Sequence, residues 1–152
     1  YGMQLGSGTW DLMPSLTCTG AQAGWSWGIQ ATATTRLQSQ NEQGYAWGLG
    51  WQGSAWLGIR FQPGWQASVR AMKTRLRGIS GQRNGPSDVS SPVDLAINQG
   101  GMLGELGLGL SFEAGTAGGS FAAEWLQPTD QRSQGVQLAR GGSLVLSWSQ
   151  HF

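Results

Sequence analysis

The sequence predicts an all-β protein: an antiparallel transmembrane β-barrel of the outer-membrane type. Three observations carry that expectation. Apolar and polar residues alternate in segment after segment, the connections alternate between short and long, and the composition is unusual. Charged residues make up 11% of the 152, against about 25% in an average soluble domain. Gly occurs 26 times and Trp nine times. Mean hydropathy is −0.26, so the apolar residues are dispersed rather than pooled. No apolar run reaches the roughly 18 residues of a membrane-crossing helix. A barrel strand needs no such run, because its lipid-facing residues occupy every second position.

The first segment, TWDLMPSLTCTG, sets Trp10, Leu12, Leu16 and Cys18 against Asp11, Ser15, Thr17 and Thr19. Pro14 removes one ladder donor from it. Next, WSWGIQATATTRL sets Trp25, Trp27, Ile29, Ala31 and Ala33 against Ser26, Gly28, Gln30, Thr32, Thr34 and Arg36. YAWGLGWQGSAWLGIRF places Tyr45, Trp47, Leu49, Trp51, Leu57 and Phe61 opposite Gly48, Gly50, Gln52, Ser54 and Arg60. WQASVRAMKTRLRG alternates from Trp65 to Ala71, then carries Lys73, Arg75 and Arg77 on the formerly apolar side, so that end projects beyond any apolar surroundings. GMLGELGLGLSFEA divides Met102, Leu106, Leu108, Leu110 and Phe112 from Glu105, Gly107, Gly109, Ser111 and Glu113. SFAAEWLQP alternates weakly through Phe121, Ala123 and Trp125. GSLVLSWSQHF puts Leu144, Leu146, Trp148 and Phe152 on one face.

The short turns fall at 21–24, 62–64 and 114–118, and the longer connections at 38–43, 79–99 and 128–141. Tight turns on one side and long loops on the other are the asymmetry of outer-membrane barrels, with the long loops outside. That gives seven strands, or eight if Tyr1–Gly8 contributes one. Barrels of one chain prefer even numbers. The chain therefore reads as one domain over 1–152, or as the carboxy-terminal portion of a larger barrel.

Strand facing assigns roles. Trp10, Trp25, Trp27, Trp47, Trp65, Trp125 and Trp148 are girdle candidates, since indole rings favour the membrane–water interface. Arg36, Arg60, Arg70, Glu105 and Glu124, with Gln30 and Gln52, are candidates for the lumen wall. Buried singly, such charges are costly, so ion pairs that brace the wall are a more economical reading than a solute-binding ladder. The glycines at 48, 50, 107 and 109 thin that wall or let it curve.

Catalysis is not expected. His151 is the single histidine and Cys18 the single cysteine, and neither has a partner for acid–base or nucleophilic work. No phosphate loop, calcium loop or thiolate cluster is present, so no cofactor and no metal are expected. A net charge of +1 argues against nucleic acid as a partner.

YGMQLGSGTWDLMPSLTCTG, WSWGIQATATTRL, GYAWGLGWQGSAWLG and AAEWLQPTDQRSQGVQL together resemble a proteobacterial outer-membrane transporter family, itself similar to meta-pathway phenol-degradation outer-membrane proteins. The resemblance covers the carboxy-terminal part of a typical member. Gly2 stands where Pro is usual and Cys18 where an aromatic is usual. The resemblance implies the outer membrane, the lipid bilayer as surroundings, and Phe152 as the assembly signal read by the barrel-assembly machinery. It also implies a passive channel or transport component for small, aromatic or hydrophobic solutes. The alternatives are a structural or adhesin-like barrel with a plugged lumen and a soluble lipocalin-like binding domain.

Overall fold

The structure is a computed structural model that describes residues 6–81, 95–115 and 118–150. Its strands are β1 (Asp11–Leu12), β2 (Ser15–Gln22), β3 (Trp25–Arg36), β4 (Tyr45–Ala46), β5 (Gly50–Gln62), β6 (Trp65–Leu76), β7 (Ser80–Gly81), β8 (Gly101–Glu113), β9 (Ser120–Ser133) and β10 (Ser143–Ser149). One turn of 3₁₀ helix spans Ala96–Asn98. Among the described residues no helix is long and apolar enough to cross a membrane. The fold is all-β, and every strand pairing is antiparallel.

The main sheet has eight strands, but β1 and β2 lie end to end along β3. Met13 and Pro14 separate them, and the Ala33 N–H still reaches the Pro14 carbonyl at 3.0 Å. The result is a meander in which each line pairs with the next along the chain. Each of its hairpins brings together residues close in sequence, so no long crossover has to be closed.

Turn chemistry explains the short ends. Ala23 and Gly24 have φ of 48° and 85°, the left-handed pair that a two-residue hairpin of matching twist demands. Pro63 and Gly64, the latter at φ 78°, make the second turn, and a bulge at Phe61 takes up the twist a Pro–Gly turn would otherwise splay. The strand ends joined by the three short turns lie at one end of the sheet, and those joined by 37–49, 77–100 and 134–142 at the other.

The structure departs from sequence expectation at four places. First, Tyr45–Trp47 does not continue β5. Tyr45 and Ala46 are buried and pair with β7, and the chain between β4 and β5 passes Gly48 so close to the carbonyls of Arg77 and Gly78 that no side chain would fit there. Second, the predicted 128–141 loop begins only at 134. β9 runs on through Pro128, and a bulge opposite Gly104–Glu105 accommodates the missing proline donor. Third, residues 6–10 are not strand. Fourth, β2 and β10 each pair on one side only, so closure into a barrel is not seen among the described residues. Residues 1–5, most of the 79–99 loop, His151 and Phe152 lie outside the described residues.

Candidate functional site

Register alone sorts the sheet into two faces. One rung reads Trp27, Leu57, Val69, Leu108, Trp125, Leu144 across six adjacent strands. The rung on its short-turn side reads Trp25, Ile59, Ala67, Leu110, Ala123, Leu146. At the edge nearest the short turns Trp65, Phe112, Phe121 and Trp148 form an aromatic row. Trp65 and Phe112 meet at 4.8 Å between ring centroids, and Phe121 and Trp148 at 6.4 Å. At the opposite edge this face turns charged, with Lys73, Arg75, Asp130 and Arg132 on register-paired positions. Asp130 and Arg132 pair there at 3.3 Å.

The other face carries all seven polar wall candidates: Gln30, Arg36, Gln52, Arg60, Arg70, Glu105 and Glu124. Exposure is inverted relative to a water-soluble protein. Leu108 is 64% exposed and Leu146 72%, whereas Glu105 on the polar face is 4% exposed. Along β6 the polar-face residues Gln66, Ser68, Arg70, Met72 and Thr74 are half-buried, while Trp65, Val69 and Ala71 are exposed. The shielding is concentrated around β6, β8 and β9, since Gln30, Gln52 and Arg60 on the same face are exposed.

Glycines make that face possible. Arg70 sits opposite Gly107, and its guanidinium crosses β8 to Glu124 on β9, with Nε donating to Oε1 at 2.9 Å and a second bond to Oε2. A Cβ at Gly107 would stand 2.5 Å from Glu124 Oε1. The Trp56 ring lies over Gly28 in the same manner, and Gln66 reaches over Gly58 to Ser26 Oγ at 3.5 Å. The remaining charges are handled differently. Arg36 pairs with Asp11 at 2.6 Å at the long-connection end. Arg60 has no ion pair among the described residues and lines a cleft of about 390 Å³ with Gln66, Ser111 and Glu113. Among the described residues Glu105 has one cation within ion-pair distance, Arg140 of the β9–β10 connection, at 3.7 Å.

Asp11 lies beyond the rung of Arg75, clear of the apolar band. Burial raises its pKa, but hydrogen bonds from the Ser7 and Thr9 hydroxyls and the charge of Arg36 outweigh that, leaving the carboxyl below its ordinary value.

Of the girdle candidates, Trp25, Trp27, Trp65, Trp125 and Trp148 lie on the apolar face. Trp10 precedes β1 and is exposed. Trp47 is displaced from that face: it follows the β4–β7 pair, is half-buried, and its indole N–H is enclosed. Sequence reasoning missed Trp56, which alternation places inward but which its aromatic character alone marks as apolar-facing. It also missed Arg140, whose role depends on a loop path that periodicity cannot give. Among the described residues no group of His, Cys, Asp or Glu could hold a metal ion. Comparison with known family models, with curated proteins and with solved structures gives no match.

Proposed function

We propose that the chain forms wall of an outer-membrane β-barrel that passes small solutes, aromatic or hydrophobic ones among them, as a passive channel or transport component. The supporting observation is the exposure of the sheet: an apolar face is left bare across adjacent strands, while on the other face Arg36, Arg70 and Glu124 are half-buried and Glu105 is buried, with Gln30, Gln52 and Arg60 exposed. In water such a face would be covered. In a bilayer it is the surface required, and the aromatic row and charged edge then sit near the two interfaces.

The free edges bear on the same reading. β2 and β10 contain no Lys, Arg, Asp, Glu or Pro. Unguarded edges of that kind invite pairing. Six antiparallel steps separate β2 from β10, so both run in one direction and direct closure between them would be parallel. Two copies sharing one membrane orientation would also meet in parallel. Antiparallel closure therefore takes an odd number of further strands, which fits a larger barrel.

The test is refolding into detergent or vesicles. The folded chain should migrate faster on a semi-native gel until boiled, and should raise the conductance of a planar bilayer. A chain that stays folded and monomeric without detergent would overturn the membrane reading. A second reading, a barrel plugged by its own side chains, is favoured by the Arg70–Glu124 bridge and by Trp56 lying across the polar face. Heat-modifiable migration without conductance would select it.

A further inference from the structure

Glu105 poses a problem that its own strand does not solve. Its side chain is 3% exposed, and its Oε1 is enclosed without a hydrogen-bond partner. Isolated burial of a carboxylate charge is expensive, so the charge has to be balanced from nearby. Its register neighbours are Met72 on β6 and Pro128 on β9, neither of which can balance it. The only cation within ion-pair distance among the described residues is Arg140, whose Nε lies 3.7 Å away. Arg140 belongs to the connection 134–142 at the long-connection end, so that segment folds back over the polar face.

Polar ties alone hold the segment. Val136 is 72% exposed and Leu138 96%, so neither anchors it by packing. Asn98 Oδ1 accepts from the Val136 N–H at 2.9 Å, and Gln137 Nε2 donates to the Gly100 carbonyl at 2.7 Å. Gln131 Oε1 accepts from the Arg140 N–H at 2.9 Å, and Gln131 Nε2 donates to the Leu138 carbonyl. The loop is thus tied at its start to the Ala96–Gly100 segment and at its far side to β9, where Arg140, its own side chain 55% exposed, reaches the buried Glu105.

We infer that residues 134–142 are a strap across the polar wall, held in its closed position by Arg140 on the buried Glu105. The pair lacks a direct hydrogen bond at Oε1, so it is a contact that can part without breaking a strand ladder. In the channel reading, on which the functional sense of the strap rests, its opening widens the passage at the loop end.

The experiment measures amide exchange over 134–142 in the detergent-folded protein for Glu105→Gln, Arg140→Gln, Arg140→Lys and the double Gln variant. Exchange at the Val136 and Arg140 amides, the two in 136–141 that donate a hydrogen bond, should rise tenfold or more in each single Gln variant. The double should match the singles, and Arg140→Lys should stay near the parent. Because Glu105→Gln removes a buried charge while keeping shape, it leaves the sheet intact. Unchanged exchange in Glu105→Gln, or additive effects in the double, would overturn the strap. Conductance is read in parallel: Glu105→Gln should raise it. A protein that never conducts yet shows the exchange pattern loses the channel reading and keeps the strap.

Discussion

Gly107 shows how one missing side chain positions a charge. Ordinary cross-strand pairs join neighbouring strands at Cβ separations of about 5 Å. Arg70 and Glu124 sit two strands apart and meet only because nothing stands on β8 between them. Gly107→Ala should part the bridge, because the new methyl would press on Glu124 Oε1 and on Leu126 Cδ2 at 3.0 Å. We expect a loss of about 1–3 kcal/mol in urea unfolding from vesicles, the usual scale for overpacking. Asp11 gives the pH-dependent case. Its pKa is depressed in the folded state, so its tie to Ser7, Thr9 and Arg36 is fully present above the ordinary aspartate value. That contribution is lost as pH falls through the depressed value. The protection factors of residues 7–11, taken against intrinsic exchange at each pH, should fall at acid pH in the parent, and Asp11→Asn should show the low protection at neutral pH as well.

At the scale of the strand, alternation decides most of the outcome. A residue's neighbours two positions away share its face, so each segment declared its apolar side before any pairing was known. β8 is the clearest example, with Leu106, Leu108 and Leu110 bare on one side and Glu105, Gly107 and Gly109 shielded on the other. Leu108→Arg should cost roughly 2–4 kcal/mol in bilayer folding, as expected for a cation at mid-depth. Ser68→Arg, on the opposite face of the neighbouring strand, should cost less. Trp148→Asp should likewise lower the yield of folded protein, by placing a charge beside Phe121 at the aromatic row. Equal yields from the two faces would contradict the facing. Where alternation failed, a specific local chemistry prevailed. Pro128 looked like the end of a strand, yet the bulge beside it lets β9 continue to Ser133. Gly48 looked like one more strand glycine, yet it lies against the Arg77 and Gly78 carbonyls, between β5 and the buried Tyr45 that pairs with β7.

For the whole molecule the governing feature is the contrast between a guarded interior and unguarded edges. The inner strands are satisfied on both sides, whereas β2 and β10 present uncharged edges. Without detergent the isolated chain should therefore self-associate, and light scattering should rise with concentration. Val145→Lys on β10 should reduce that association, since a charged edge resists strand addition.

The sequence by itself determined the all-β class, the seven strand lines, the end at which the tight turns fall, and the common face of the seven polar candidates. These follow from period-two alternation and turn chemistry, which are local and legible in order along the chain. The tertiary structure alone decided which charges meet. Arg70 reaches Glu124 across a glycine, Arg36 meets Asp11 at the rim, and Arg140 returns from a loop to Glu105. Such partners depend on register and on the path of a loop, and neither is encoded in the spacing of residues along one strand.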